Sequence, residues 1–258
     1  MILAVDIGNT SISFGVFEKD ELIYKFKLSS HSDKSPDEYA TAVTGFLKRK
    51  SIDISDIKGV SLLSVVPSLQ RIMVKAFGTL GITPLVLGRG VKTGINLRVE
   101  APTGVGADIV AEAVGALLVV KAPVIIADLG TATTISVINE NCELCGCAIA
   151  PGIRLSADAL SSSCALLSDV FIEAPRNLLG KNTPDSINSG IVWGSVFMLD
   201  GFINKIKEEY GFQNDVSVIA SGGLSELIAP LCENRITNEP DLTLKGLSRI
   251  YNLNKSKI

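Results

Sequence analysis

Ile2-Leu3-Ala4-Val5-Asp6-Ile7-Gly8-Asn9-Thr10 and Ile125-Ile126-Ala127-Asp128-Leu129-Gly130-Thr131-Ala132-Thr133-Thr134 state one design twice. Each is an apolar run that reads as a buried strand and delivers an aspartate to a sheet edge. Each then turns through a glycine flanked by hydroxyl residues and resumes as an alternating strand, the first at Ile12, Phe14 and Val16. Taken alone, the first copy also fits an ordinary hairpin with a D-x-G-N turn. The second copy decides the matter. Asp6 and Asp128, Gly8 and Gly130, Glu21 and Glu143, and Leu22 and Leu144 share one offset, 122 positions. Between these anchors the alternation slips by one, so the repeat is one of architecture more than of sequence. Two related halves are expected, closing on a nucleotide between them.

The chemistry of such a turn suits a triphosphate. Glycine lets backbone N–H groups approach phosphate oxygens, the hydroxyl and amide side chains donate, and the aspartate holds Mg²⁺ directly or through water.

Composition removes competing classes. The 258 residues carry a net charge of −3, with 47% apolar and 20% charged side chains. That is a globular balance with no electrostatic footprint for nucleic acid, and Lys48-Arg49-Lys50 reads as the solvated end of a helix. The apolar start is stopped by Asp6, and the interior run from Ala113 to Val120 is short and broken by a glycine, so no targeting segment and no membrane partner are expected. Five cysteines, an odd number, point to reduced thiols and a cytoplasmic setting.

Along the chain, Leu22 to Leu28 alternates as a third strand, and Ser35-Pro36-Asp37-Glu38 announces a helix with Tyr39, Val43, Phe46 and Leu47 inward. Gly59 to Val66 is a strand, Pro67 opens a helix, and Pro84 to Leu87 returns to the sheet. Gly88 to Gly106 is a long irregular connection, of the kind that carries function or a hinge. A helix follows to Lys121, with Gly106-x-Asp108 in its first turn. Asp108 is either a first-turn capping aspartate or a catalytic carboxylate. The second half repeats the three-strand start, turns at Asn139-Glu140-Asn141 and closes at Pro151-Gly152 before a helix over Ile153 to Ser163. The stretch from Leu166 to Thr183 is irregular, and Gly180-Lys181-Asn182-Thr183-Pro184 reads as a substrate-side loop. A long helix spans Asp185 to Tyr210, its Gly190, Gly194 and Gly201 suiting a dimer seam or close packing on the sheet. Val216 to Ala220 is a strand, Ser221-Gly222-Gly223 a turn into a helix over Leu224 to Leu231. A last amphipathic helix carries Leu244, Leu247, Ile250 and Tyr251, and the tail from Asn254 to Ile258 is polar.

Cys142-x-x-Cys145-x-Cys147 lacks a fourth ligand for zinc, and His31 is the single histidine, so a serine or cysteine triad has little to stand on. No P-loop motif occurs.

Taken in order, D-I-G-N-T, G-A-D, D-L-G-T-A-T-T, I-A-P-G-I, G-K-N-T and S-G-G-L resemble the type III pantothenate kinases over essentially the whole chain. The resemblance implies an α/β fold of two duplicated ribonuclease H-like halves of the actin-like ATPase kind. Each half would be a mixed βββαβα sheet with flanking helices, spanning 1–104 and 105–258. It further implies a homodimer and transfer of the ATP γ-phosphoryl group to the hydroxyl of pantothenate, the first step toward coenzyme A. Carried onto these positions, Asp6, Ile7, Gly8, Asn9, Thr10, Ser11, Ile12 and Ser13 would cradle phosphates, with Asp6 ordering Mg²⁺ through water. Thr131 would touch ATP, and Asp128 would bind a monovalent cation, K⁺ or ammonium. Asp108 would be the general base, within an acceptor site of Gly106, Ala107, Ile109 and Thr183. Ser221-Gly222-Gly223 would lie near the adenosine.

Two positions depart from the family pattern. Ile109 stands where the family has arginine, and Val99 where it has tyrosine. A guanidinium–carboxylate fork is worth roughly 1.5–3 kcal/mol, which isoleucine cannot supply. Arg98, in the same connection, is the candidate replacement. The same departures motivate two other readings: a kinase of this fold for another small hydroxyl compound, or a non-catalytic nucleotide-binding relative.

Overall fold

The computed structural model describes residues 1–31, 33–164, 167, 169–212 and 216–257. Leu166 and Ile258, named above in the irregular loop and the tail, lie outside the described residues. The chain divides into two compact units, one of residues 1–95, 100–119 and 242–258, the other of residues 96–99 and 120–241.

In the first unit β1 (Ile2–Ile7), β2 (Ser11–Glu18) and β3 (Glu21–Ser29) form an antiparallel meander. β4 (Gly59–Ser64) and β5 (Leu85–Val86) add in parallel, giving the order β3-β2-β1-β4-β5. One sheet face packs on α1 (Pro36–Lys48) and α2 (Pro67–Thr79). Leu3, Val5 and Ile7 meet Tyr39, Val43, Leu69 and Met73 there. The expected capping box starts α1, with the Ser35 hydroxyl accepting the Glu38 N–H and the Glu38 carboxylate accepting the Ser35 N–H at 2.7 Å. Because strand residues alternate, Asp6 is left on the other face with Ala4.

That second face receives α3 (Ala107–Val119) and the last helix, α7 (Leu242–Asn254). The seam between them is made by glycine. A side chain at Gly115 would collide with the Leu242 carbonyl, and one at Gly246 with the Ala111 carbonyl. Tyr251 of α7 occupies the space a side chain at Gly59 would need, and its hydroxyl donates to the Lys58 carbonyl at 3.3 Å. The compact units therefore do not divide at the expected boundary between 104 and 105. Residues 100–119 and 242–258 pack into the first unit, because helices brought this close bury more apolar surface together than apart.

The second unit repeats the sheet. Its strands are β6 (Asn96–Leu97), β7 (Val124–Leu129), β8 (Ala132–Ile138), β9 (Glu143–Pro151), β10 (Ser217–Ser221) and β11 (Thr237–Asn238). They run in the order β11-β10-β7-β8-β9-β6, the first unit's pattern with one strand added. α4 (Ile153–Ser163) and α5 (Thr183–Tyr210) cover the face of Ile125, Ala127 and Leu129. Asp128 consequently shares the opposite face with Ile126, as Asp6 does with Ala4. α5 buries Ile187, Ile191, Val192, Val196, Leu199 and Ile203, while among the described residues nothing beyond the helix's own adjacent backbone lies within 4 Å of where side chains at Gly190, Gly194 and Gly201 would begin. Packing of those glycines on the sheet, one of two expectations for them, is not what they do. By length and composition α5 is apolar enough to cross a membrane, yet half of that stretch is buried against its own unit.

The one-residue slip in the repeat has a physical origin. Ile7 pairs with Ile12 across the first turn, whereas Leu129 pairs with Thr133, so the second copy's turn is one residue shorter. At the next turn Phe17 pairs with Leu22 but Ile138 with Leu144, and the lost residue is regained. Both ladders also slip at corresponding places, between Val16 and Phe17 and between Val137 and Ile138.

Candidate active site

The first turn is tight and cross-braced. The Gly8 N–H donates to the Ser11 carbonyl at 3.0 Å, leaving Asn9 and Thr10 exposed at the tip. Ser30, just past β3, ties the turn down: its N–H donates to the Thr10 carbonyl at 3.1 Å and its hydroxyl to the Gly8 carbonyl at 2.6 Å. Asp6 pairs directly with Ser13 across the ladder, so a half-buried carboxylate and a hydroxyl stand side by side on one face.

The second turn has the same pairing, Asp128 opposite Thr134. Here the carboxylate is walled by glycine. A Cβ on Gly130 would lie 2.9 Å from Asp128 Oδ2, and one on Gly222 would lie 2.5 Å from Oδ1. Gly222 has φ +88°, where glycine is at ease, and the turn it makes returns the chain so that the Leu224 N–H reaches the Leu129 carbonyl at 3.4 Å. Gly152, the N-cap of α4, sits so close to the Gly130 and Thr131 carbonyls that no side chain fits. D-L-G-T, P-G-I and S-G-G-L are thereby brought together at the carboxyl ends of β7 and β10, the end of an α/β sheet where ligands bind.

Asp108 lies in the first turn of α3, half-buried. Its Oδ1 accepts the Ile109 N–H at 3.0 Å, and its carboxylate covers the space a side chain at Gly106 would fill. Ala107 is half-buried beside it, and Ile109 is 5% exposed, part of the unit's own core. Thr183 is the exposed first residue of α5, behind the N-cap Asn182, whose Oδ1 accepts the Asp185 N–H at 2.9 Å. Val99 belongs with Arg98 to the second unit, where Arg98 Nη1 stands 3.6 Å from Glu143 Oε2 and the Arg98 N–H donates to the Leu144 carbonyl at 2.8 Å.

Sequence reasoning missed Ser30, Thr134 and the wall that Gly222 builds. Thr134 stands opposite Asp128 as Ser13 stands opposite Asp6, so the repeat carried its signal once the slip is placed. A concavity of about 500 Å³ lies elsewhere, at the β8–β9 turn, lined by Arg98, Asn139, Cys145, Tyr210 and Phe212 among others. It is at the far end of the strands from Asp128. Burial raises the Tyr210 hydroxyl above its ordinary pKa, with Cys145 and Glu209 adding to the shift and Arg98 opposing it. Cys142 and Cys147 are exposed, and the Cys145 thiol donates to the Glu143 carbonyl at 3.4 Å. The main chain of His31 holds the Tyr39 hydroxyl, accepting from it at 2.8 Å.

Two five-strand patterns of the same order, each with an aspartate-glycine-hydroxyl turn between the first two strands of its meander, define the fold of the duplicated actin-like ATPases and sugar kinases. A solved structure of that fold, the activator of the 2-hydroxyisocaproyl-CoA dehydratase from Clostridium difficile with bound ADPNP, aligns with a TM-score of 0.57 over 99% of this chain and 96% of its own, at 11% identity. A family model described as type III pantothenate kinase matches residues 2–205. A type III pantothenate kinase of Agathobacter rectalis is 39% identical over 97% of this chain and 96% of its own length, and one of Bacillus cytotoxicus is 40% identical over 98% and 97%. The chain belongs to the type III pantothenate kinase family.

Proposed function

We infer that this chain transfers the γ-phosphoryl group of ATP to the hydroxyl of pantothenate, giving 4'-phosphopantothenate and ADP at the entry to coenzyme A synthesis. The observation that carries the reading is full-length identity of 39–40% to type III pantothenate kinases in a chain that keeps both aspartate turns.

The turn from Asp6 to Ser13 takes the phosphates through its backbone and hydroxyl donors. Its half-buried carboxylate, beside a hydroxyl, is a hard-oxygen donor set that fits Mg²⁺. A divalent ion bound there neutralises charge on the phosphate oxygens. Asp128, which Gly130 and Gly222 approach closely without side chains, takes a monovalent cation, K⁺ or ammonium, and Thr131 contacts ATP. Asp108 accepts the proton of the attacking hydroxyl as the new O–P bond forms and the bond from Pγ to the ADP oxygen breaks. Phosphoryl transfer is mostly positioning and charge neutralisation, so these parts suffice. Gly106, Ala107, Ile109 and Thr183 are the residues assigned to the acceptor.

A homodimer agrees with the outer face of α5, where the open glycines flank Phe197, 57% exposed and stacked on Trp193. A cytoplasmic setting agrees with five cysteines that form no disulfide among the described residues.

A coupled ADP-release assay with and without pantothenate tests the assignment, with mass detection of the phosphorylated product. Asp108→Asn should cut turnover by about 10²–10⁴-fold, the usual worth of a general base; full activity in that variant would remove Asp108 from the mechanism. A second reading, phosphorylation of another small alcohol, is favoured by the buried Ile109 alone, and turnover with other alcohols but not with pantothenate would select it.

A further inference from the structure

The apolar stripe of α5 is interrupted, in its second turn, by two polar side chains that are as buried as their neighbours. Asn188 is 7% exposed and Ser189 3%. Buried polar groups are costly unless bonded, and both are bonded to one place, the loop that leads into the helix. Asn188 Nδ2 donates to the Glu173 carbonyl at 2.8 Å, and Asn188 Oδ1 accepts the Glu173 N–H at 3.3 Å. A single carboxamide thus engages both main-chain groups of one residue, as a neighbouring strand would. The Ser189 hydroxyl donates to the Leu178 carbonyl. Gly180 lies flat against the backbone of Asp185 and Ser186, with no room for a side chain. The Asn182 carbonyl accepts the Ser186 N–H at 2.9 Å, and Asn182 Nδ2 donates to Asp185 Oδ2 at 2.8 Å.

Apolar anchoring does not explain this loop beyond its start. Val170 and Ile172 pack against the core of the unit, but Leu178 and Leu179 are 56% and 79% exposed. From Glu173 to Gly180 the path of the chain is set by polar contacts to α5.

We propose that Asn188 and Ser189 are positioning residues for the acceptor: they fasten the loop from Glu173 to Asn182 onto α5, so that Lys181 and Thr183 meet pantothenate already ordered. The proposal rests on the reading of Thr183 as an acceptor contact. A loop held in its binding conformation spares the ligand the cost of ordering it, so release of the loop weakens acceptor binding and leaves nucleotide binding alone. Neither side chain touches the reacting atoms in this account.

The test uses the full chain with Asn188→Leu and, as the smaller change, Ser189→Ala. Steady-state kinetics are taken with ATP and pantothenate varied separately, and amide hydrogen exchange is followed over 173–182. The expected result is faster exchange at Glu173 in Asn188→Leu and a KM for pantothenate raised about five-fold or more, with KM for ATP and kcat changed less than about two-fold. Should Asn188→Leu fail to fold, Ser189→Ala carries the same expectation, with faster exchange across 173–182. An unchanged KM for pantothenate despite faster exchange overturns the proposal, as does an equal rise in both KM values or a fall in kcat alone. Absence of pantothenate turnover in the unaltered chain overturns the functional reading and this proposal together, and is told apart because no variant is needed to see it.

Discussion

The Ser30 hydroxyl donates to the Gly8 carbonyl at 2.6 Å, and the corresponding place after the second meander is taken by Gly152, pressed against the Gly130 and Thr131 carbonyls. The two turns are braced differently: one by a side chain and one by a close backbone approach. Removing the side-chain brace should loosen one turn only. Ser30→Ala is expected to cost about 0.5–1.5 kcal/mol, the net worth of one hydrogen bond, and to raise KM for ATP by roughly 2–10-fold. KM for pantothenate should hold. Separate titrations of the two substrates check this, and equal changes in both would refute a local role for Ser30.

A valine at position 246 should unfasten the first unit. Its side chain would meet the Ala111 carbonyl, and overpacking of this kind costs about 1–3 kcal/mol. For a chain of this size each kcal/mol moves the melting temperature by roughly 2–4 °C. Gly246→Val should therefore melt several degrees lower in a thermal scan. An unchanged melting temperature would mean that α3 and α7 do not pack as described.

How much of this was legible beforehand varied with the range of the interaction. The paired turns and the capping box at Ser35 are written in residues close in sequence, and each appears as expected. The match of Gly115 to Leu242 and of Gly246 to Ala111 spans about half the chain, and neither partner carries a mark of the other. That is why local signals suggest a boundary between 104 and 105, while the contacts group residues 100–119 and 242–258 with the first unit. β6 is two residues long, too short for any period to show, and it exists only because Asn96 and Leu97 can pair with Glu143 and Leu144. Thr134 was hidden behind the one-residue slip, and Ser30 by its distance in sequence from the turn it braces. With register fixed, both fall into place opposite or beside residues already named.

Thiol reactivity should sort by burial. Burial, with the Asp200 carboxylate adding to it, pushes the Cys232 thiol up to about 12. The thiolate is the nucleophile, so at pH 8 only about one Cys232 in ten thousand is reactive, and the fraction grows as pH rises. Cys142 is exposed on its turn. Iodoacetamide at pH 8 followed by peptide mapping should label Cys142 early and leave Cys232 unmodified in the folded chain; comparable rates at the two positions would contradict the burial of Cys232.

Gly222 and Gly223 are adjacent, yet alanine should separate them sharply. At Gly222 the backbone is left-handed, φ +88°, and a Cβ would stand 2.5 Å from Asp128 Oδ1 and 2.6 Å from the Leu129 carbonyl carbon. At Gly223 nothing lies within 4 Å. Backbone strain of this kind costs about 1–3 kcal/mol, and relieving the clash must move the Asp128 carboxylate or the end of β7. Gly222→Ala is accordingly expected to shift the activation curve for K⁺ or ammonium to higher concentration and to lower kcat/KM about ten-fold or more. Gly223→Ala should leave the cation curve where it is. Activity measured against added KCl at constant ionic strength distinguishes them, and a Gly222→Ala enzyme with an unmoved cation curve would detach that turn from Asp128 and from the cation it is proposed to hold.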